Sequence, residues 1–379
     1  MENFIAYNPV KLLFGKNVVN NLGSTVKLFG NKVLLVYGKG AIKKNNIYNY
    51  VIEQLNMANC QVYEFAGIKP NPIVDDVNKA VKVAIDNKID VIVAVGGGSV
   101  IDSAKIISVC ACGKLDAWEV MKGNIKLQKA IPLISVLTIA ATGSEMNHYA
   151  VLQNHKTKEK IGFGNYLMFP KYSFLDPQYT ISVSPEQTAY GIVDLIAHTL
   201  EAYFGEGESS ISDRIIESII KETIYYAPLV LKNPDNYEFR ANIMLLATCA
   251  LNGITTYGKK TSDWGVHDIG HILSFLYDLP HGATLSIAYP AWLKIQKDRM
   301  PERIQNLGIQ IFNTNNIEST IESFEKFFNS ISSPVKLSEF VNSKINKNEI
   351  FDLMVKNKVN GIVHKLSEED YKKIVDLMY

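Results

Sequence analysis

The sequence predicts an α/β fold, a parallel sheet flanked by helices, followed by an all-helical back half. Three observations predict it. Short apolar runs closed by glycine alternate with amphipathic helical segments up to about residue 137. Three successive glycines, Gly96-Gly97-Gly98, join the strongest apolar run directly to a helix. From Pro185 onward nearly every segment carries helical periodicity.

The elements follow in order. Residues 4–14 read as extended chain ending at Gly15, and an amphipathic helix follows to about Phe29. The run Val33 to Tyr37, closed by Gly38-Lys39-Gly40, reads as a buried parallel strand. A helix over about 45–57 and a strand over Val62 to Phe65 come next. Lys69-Pro70-Asn71-Pro72 is a turn that hands over to a helix at about 74–87. Asp90 to Val95 is the clearest strand, and the helix after its glycines runs to about Cys110. Ile131 to Leu137 is one more strand. From Asn147 to Pro177 the pattern turns to hairpin-like strands with charged loops. Ser184-Pro185 then supplies an N-cap and a proline at the first helical position. These changes place a domain boundary near 178–184, dividing the chain into 1–180 and 181–379. The cleft between two such domains is the default ligand site.

Bulk properties exclude several classes. The chain has 379 residues, long enough for two cores. A net charge of +1 gives no global case for nucleic-acid binding. No apolar run reaches a membrane span, and the start Met1-Glu2-Asn3-Phe4 lacks the pattern of a signal peptide. Four scattered cysteines read as thiols of a reducing cytoplasm, with Cys110 and Cys112 packing near a helix end.

Glycine between a strand and a helix lets backbone N–H groups reach a phosphate at the helix start. Gly97, Gly98 and Ser99 are placed for that, although Ile101 stands where a dinucleotide fingerprint has its third glycine. Asp102, in the first helical turn, can cap the helix or bond a ligand hydroxyl. A second loop, Ala140 to Glu145, offers donors near a pyrophosphate through Thr142 and Ser144, with Thr138 just before it. The third loop, Gly38-Lys39-Gly40, is followed by Lys43 and Lys44 and has no acid for a ribose 2′-hydroxyl. Small residues and lysines accept a 2′-phosphate, so the expected cofactor is NADP(H).

A different chemistry gathers in the back half. Asp194 and His198 lie four apart in an apolar helix and share a face. His267, His271 and His281 form a second cluster. One carboxylate and three neutral imidazoles suit Zn(II) or Fe(II). Spacing leaves open whether His271 or His281 completes the set. His148, His155 and His364 stand apart and read as structural or exposed, and Trp264 reads as helical core.

Together these pieces resemble the iron-containing (group III) alcohol dehydrogenase family. The carrying residues are Gly96-Gly-Gly-Ser-Val-Ile-Asp102-Ser-Ala-Lys, Ala141-Thr-Gly-Ser-Glu145, Asp194-x3-His198 and His267-x3-His271-x9-His281-Gly282. Tyr37-Gly-Lys-Gly and Ile42-Lys-Lys resemble the butanol-dehydrogenase-like branch, which leans to NADPH and usually has another glycine where Lys39 stands. The resemblance implies a Rossmann-like nucleotide domain and a helical metal domain, the architecture of dehydroquinate synthase. It makes Asp194, His198, His267 and His281 the ligands, puts His271 beside the nicotinamide, and adds Asn71 and Lys160 as cofactor contacts. It implies a cytoplasmic homodimer that interconverts a primary alcohol and an aldehyde, such as butanol and butyraldehyde. A glycerol-type polyol dehydrogenase is the alternative, and a dehydroquinate-synthase-like lyase a more distant one.

Overall fold

The computed structural model describes residues 1–340 and 345–379. The chain forms two compact units. One holds Tyr7–Val183 and Asp235–Thr248, and the other holds Met1–Ala6, Ser184–Pro234 and Cys249–Tyr379.

The first unit is built on eight strands. They are β1 (Lys11–Phe14), β2 (Lys32–Gly38), β3 (Gln61–Ile68), β4 (Val91–Gly96), β5 (Leu133–Leu137), β6 (Tyr149–Asn154), β7 (Glu159–Gly164) and β8 (Tyr172–Leu175). Six make a sheet in the order β1-β8-β5-β4-β2-β3, with every pairing parallel. β6 and β7 form a separate antiparallel hairpin.

The strand sequences explain this sheet. Val33, Leu35, Val91, Val93 and Val95 share one core, while Leu34, Val36, Ile92 and Ala94 share another. Apolar residues at both parities mean that both faces are covered, which is the condition of a parallel sheet. Helices Ile47–Met57, Val74–Asp86 and Gly98–Gly113 link successive strands. The strand order reverses between β2 and β4, so their carboxyl ends flank the crevice where ligands bind in such sheets.

Two local expectations change. The stretch before Phe29 is a 3-10 turn, Val18–Asn21, and a short helix, Leu22–Val26, with the weak helix formers Asn20 and Asn21 just before their junction. Tyr172–Leu175 is not part of a hairpin; it enters the main sheet between β1 and β5. The segment around helix Tyr237–Ala250 contributes Met244 to the core beneath the sheet, and its Thr248 hydroxyl donates to Glu145 Oε1 at 2.6 Å.

The second unit is helical. Its members include Pro185–Tyr203, Ser210–Lys232, Gly265–Tyr277 and His281–Gln296. Ser184 caps the first of them by accepting from Gln187 N–H. That helix is buried all round from Thr188 to Tyr203, so its polar residues there require partners. No helix among the described residues is long and apolar enough to cross a membrane.

Candidate functional site

In the sheet-bearing unit, the carboxyl ends of the adjacent strands β2, β4 and β5 carry the three expected loops. Gly97 precedes helix Gly98–Gly113 in an extended conformation and puts no side chain over its start. The first helical bonds run from Val100 and Ile101 N–H to Gly97 O. The N–H groups of Gly98 and Ser99 therefore stand at the positive end of a long helix. A Cβ on Gly98 would lie 2.5 Å from Thr142 Oγ1, so only glycine lets the two loops approach this closely. Thr138, at the end of β5, is buried and donates its N–H to Gly96 O at 3.1 Å. Thr142 Oγ1 accepts from Ser144 N–H at 3.1 Å.

The Ser99 hydroxyl donates to Pro70 O, tying the triple-glycine turn to the Pro-Asn-Pro turn. There, buried Asn71 accepts from Lys160 Nζ at 2.9 Å, so these two expected contacts meet. Asp102 has both oxygens engaged: Oδ1 accepts from the Ser144 hydroxyl at 2.6 Å and Oδ2 from Val151 N–H at 2.9 Å. Burial raises its carboxyl above the ordinary value, against Lys105 and these donors. In this network Asp102 positions the second loop.

Lys105 anchors the network, although in the sequence it reads only as part of its helix. It is fully buried and donates to Ser144 Oγ at 2.7 Å, Asn147 Oδ1 at 2.9 Å and Tyr149 O at 2.7 Å. Burial depresses its ammonium to about 8. A lysine in an apolar helical run is the signal, because burial requires acceptors for its three protons.

At the third loop, Lys39 is exposed between Gly38 and Gly40. Lys43 Nζ lies 4.5 Å over the Tyr48 ring and 5.2 Å over the Tyr37 ring. The nearby carboxylate comes from β3: Glu64 accepts from Tyr37 and Tyr48 hydroxyls at 2.5 and 2.7 Å. Burial works against its charge, but the two hydroxyls and Lys43 hold the carboxyl below the ordinary value. Its oxygens already have donors of their own.

In the helical unit, Asp194, His267 and His281 have donor atoms within 4.8 Å of one another. Asp194 Oδ1 is 3.6 Å from His198 Nδ1, 3.9 Å from His267 Nε2 and 3.7 Å from His281 Nε2. Such distances are too long for hydrogen bonds. Ligands about 2.1 Å from a tetrahedral metal lie roughly 3.4 Å apart, so the spacing fits a shared ion. Asp194, His198 and His267 are buried, and burial holds the His198 imidazole well below its ordinary value, in the neutral form that coordinates. The donor chemistry fits a divalent metal.

Helix geometry brings this set together. Asp194 and His198 share a face of Pro185–Tyr203, His267 sits in the first turn of Gly265–Tyr277, and His281 begins the next helix. A Cβ on Gly282 would fall 2.0 Å from Tyr190 O. Glycine there lets the helix beginning at His281 lie directly against the one bearing Asp194. His271, one turn beyond His267, stacks on His281 with centroids 5.6 Å apart. Trp264 sets its ring edge against His267 and His198, at 5.2 and 6.2 Å.

Glu201, on the same helix as Asp194, is a buried carboxylate beside this cluster that sequence reasoning missed. It is buried, and burial with the charge of Asp263 pushes its carboxyl well up, against N–H donors from His267 and Trp264. Its signal is periodicity, since it lies seven residues after Asp194 on the same helical face.

Comparison with known proteins gives these features a family. The model of the iron-containing alcohol dehydrogenase family matches residues 9–177, and that of its C-terminal region matches 188–378. The chain is 39% identical to a probable NADH-dependent butanol dehydrogenase 1 of Bacillus subtilis, covering 99% of both chains. It is 35% identical to the NADPH-dependent aldehyde reductase YqhD of Escherichia coli, covering 90% of this chain and 89% of that one. The crystal structure of an NADH-dependent butanol dehydrogenase A from Thermotoga maritima superimposes with a TM-score of 0.96 at 38% identity, covering 100% of this chain and 99% of that one. The chain therefore belongs to the iron-containing alcohol dehydrogenase family, and its reaction class is that of an oxidoreductase acting on alcohols and aldehydes.

Proposed function

We propose that the protein is a metal-dependent, NADP(H)-linked alcohol dehydrogenase and aldehyde reductase for primary alcohols and aldehydes such as butanol and butyraldehyde. The observation that carries this reading is the cluster of Asp194, His267 and His281, whose donor atoms lie within 4.8 Å of one another, with His198 Nδ1 3.6 Å from Asp194 Oδ1. Bound there, Fe(II) or Zn(II) supplies a Lewis acid for the substrate oxygen, while a nicotinamide supplies or accepts the hydride. Asp194 contributes one negative charge and the neutral imidazoles none, so the donor set preserves net positive charge at a divalent ion. His271 is the group assigned to proton movement between the substrate oxygen and solvent. Gly97, Gly98, Ser99, Thr138 and Thr142 are assigned to the pyrophosphate, with Asn71 and Lys160 as further cofactor contacts. The enzyme is proposed to work as a cytoplasmic homodimer.

NADP(H) is favoured by Gly38-Lys39-Gly40, which has no acid in the turn, and by Lys43 beside it. Glu64, the carboxylate nearest this turn's tyrosine, is occupied by two hydroxyls. Relatives named for NADH and for NADPH both occur, so the preference requires measurement. Enzyme loaded with Fe(II) or Zn(II) should oxidise NADPH with short aldehydes at higher kcat/KM than NADH. A clear NADH preference overturns the cofactor assignment, and absence of turnover with any aldehyde or ketone overturns the reading itself.

A further inference from the structure

We infer that Glu201 is a positioning residue for the metal centre, fixing the tautomer and aim of His267 so that Nε2 is presented as the ligand. The inference rests on the metal-site reading above. Glu201 Oε1 lies 2.7 Å from His267 Nδ1 and accepts from the His267 backbone N–H at 3.1 Å. Its Oε2 accepts from Trp264 N–H at 2.6 Å. Two backbone N–H groups and the His267 ring nitrogen thus converge on the two oxygens, and an ionised carboxylate can only accept from all three.

The consequence for His267 is chemical. A neutral imidazole carries one ring proton, and the Glu201 bond assigns it to Nδ1, leaving the Nε2 lone pair on the side of Asp194 Oδ1, 3.9 Å away. The consequence for the backbone is geometric. Trp264, the residue before helix Gly265–Tyr277, has a φ of 67°, a conformation unusual for a large side chain. Glu201 holds the N–H on that residue and the N–H three residues later with one side chain. The start of the helix and the ring it carries are therefore set by the same group. Glu201 projects from the helix that bears Asp194 and His198, so one rigid element supplies two proposed ligands and the support for a third.

Glu201→Gln tests this. An amide has an acceptor at one end only, so it cannot serve both Trp264 and His267. Zn(II) affinity, measured by chelator competition on the full-length protein, should fall about 10- to 100-fold, the usual cost of losing an outer partner of a ligating histidine. Asp263→Asn is the comparison, because Asp263 also ties down this helix start, through Gly265, Val363 and His364 N–H, without touching the His267 ring. If Asp263→Asn weakens Zn(II) as much as Glu201→Gln does, the role is merely structural and the inference is overturned. A Glu201→Gln protein that is folded and binds Zn(II) as the parent does also overturns it. Should the variant fail to fold, imidazole 15N spectra of the metal-free parent decide: His267 protonated on Nδ1 supports the inference, and protonation on Nε2 overturns it. A parent protein that binds no Zn(II) refutes instead the metal-site reading on which the inference rests.

Discussion

His281 Nε2 stands 3.7 Å from Asp194 Oδ1, although the two residues come from different helices far apart in the chain. His271, which has the closer helical spacing to His267, instead lies ring to ring with His281. This arrangement underlies the separate roles proposed for the two histidines. His281→Ala and His267→Ala are expected to lose metal by more than the roughly 10- to 100-fold that an outer partner costs. His271→Ala is expected to retain it and to lose turnover. Metal content after gel filtration checks this, and a His271→Ala protein empty of metal would reverse the ligand choice.

Lys105→Met should destabilise the sheet-bearing unit. The substitution leaves acceptors on Ser144, Asn147 and Tyr149 without their buried donor and removes the cation beside Asp102. Removing one member of a buried charged pair costs about 3–5 kcal/mol. Denaturant unfolding measures the loss. NADPH affinity should also fall by about tenfold, equivalent to about 1.4 kcal/mol, as the second loop loosens. Unchanged stability would count against the network.

Gly98→Ala is expected to weaken cofactor binding at least about tenfold with little change in fold, since the new methyl meets Thr142 rather than the core. NADPH fluorescence titration reads it directly. An unaltered dissociation constant would show that the two loops need not approach so closely.

His148 offers a pH signature. Its ring lies among Tyr149, Tyr166 and Phe169, and burial, with the charge of Lys105, depresses it to about 4. Between about pH 6.5 and 4 the unfolded chain binds the proton that the folded one excludes, so stability falls as pH falls through this window. His148→Phe removes that share. Its melting temperature should drop less steeply between pH 6.5 and 4 than the parent's, by a few degrees after allowance for the ring's partial exposure. Parallel curves would contradict this.

Much of the sheet is legible in sequence because β2, β4 and β5 are apolar runs ended by distinctive turns. Asp194 and His198 are legible because four residues make nearly one helical turn. That His281 lies near Asp194 is beyond local spacing; Gly282 packs against Tyr190 O, a contact between helices. Tyr172–Leu175 is short, and its parallel partners lie elsewhere in the chain, so its pattern alone does not separate a hairpin from a sheet strand. Glu201 and Lys105 look like ordinary charges on helices until burial shows that each must be fully bonded.

The return of Asp235–Thr248 to the sheet-bearing unit bears on how the gene can be divided. A fragment ending at Val183 would omit Met244 from its core and deprive Glu145 of the Thr248 hydroxyl. It would also lose Arg240, whose guanidinium donates to Val183 O at 3.4 Å. A sheet-bearing unit made for separate expression therefore needs a grafted helix, with a linker in place of residues 184–234, rather than a simple truncation.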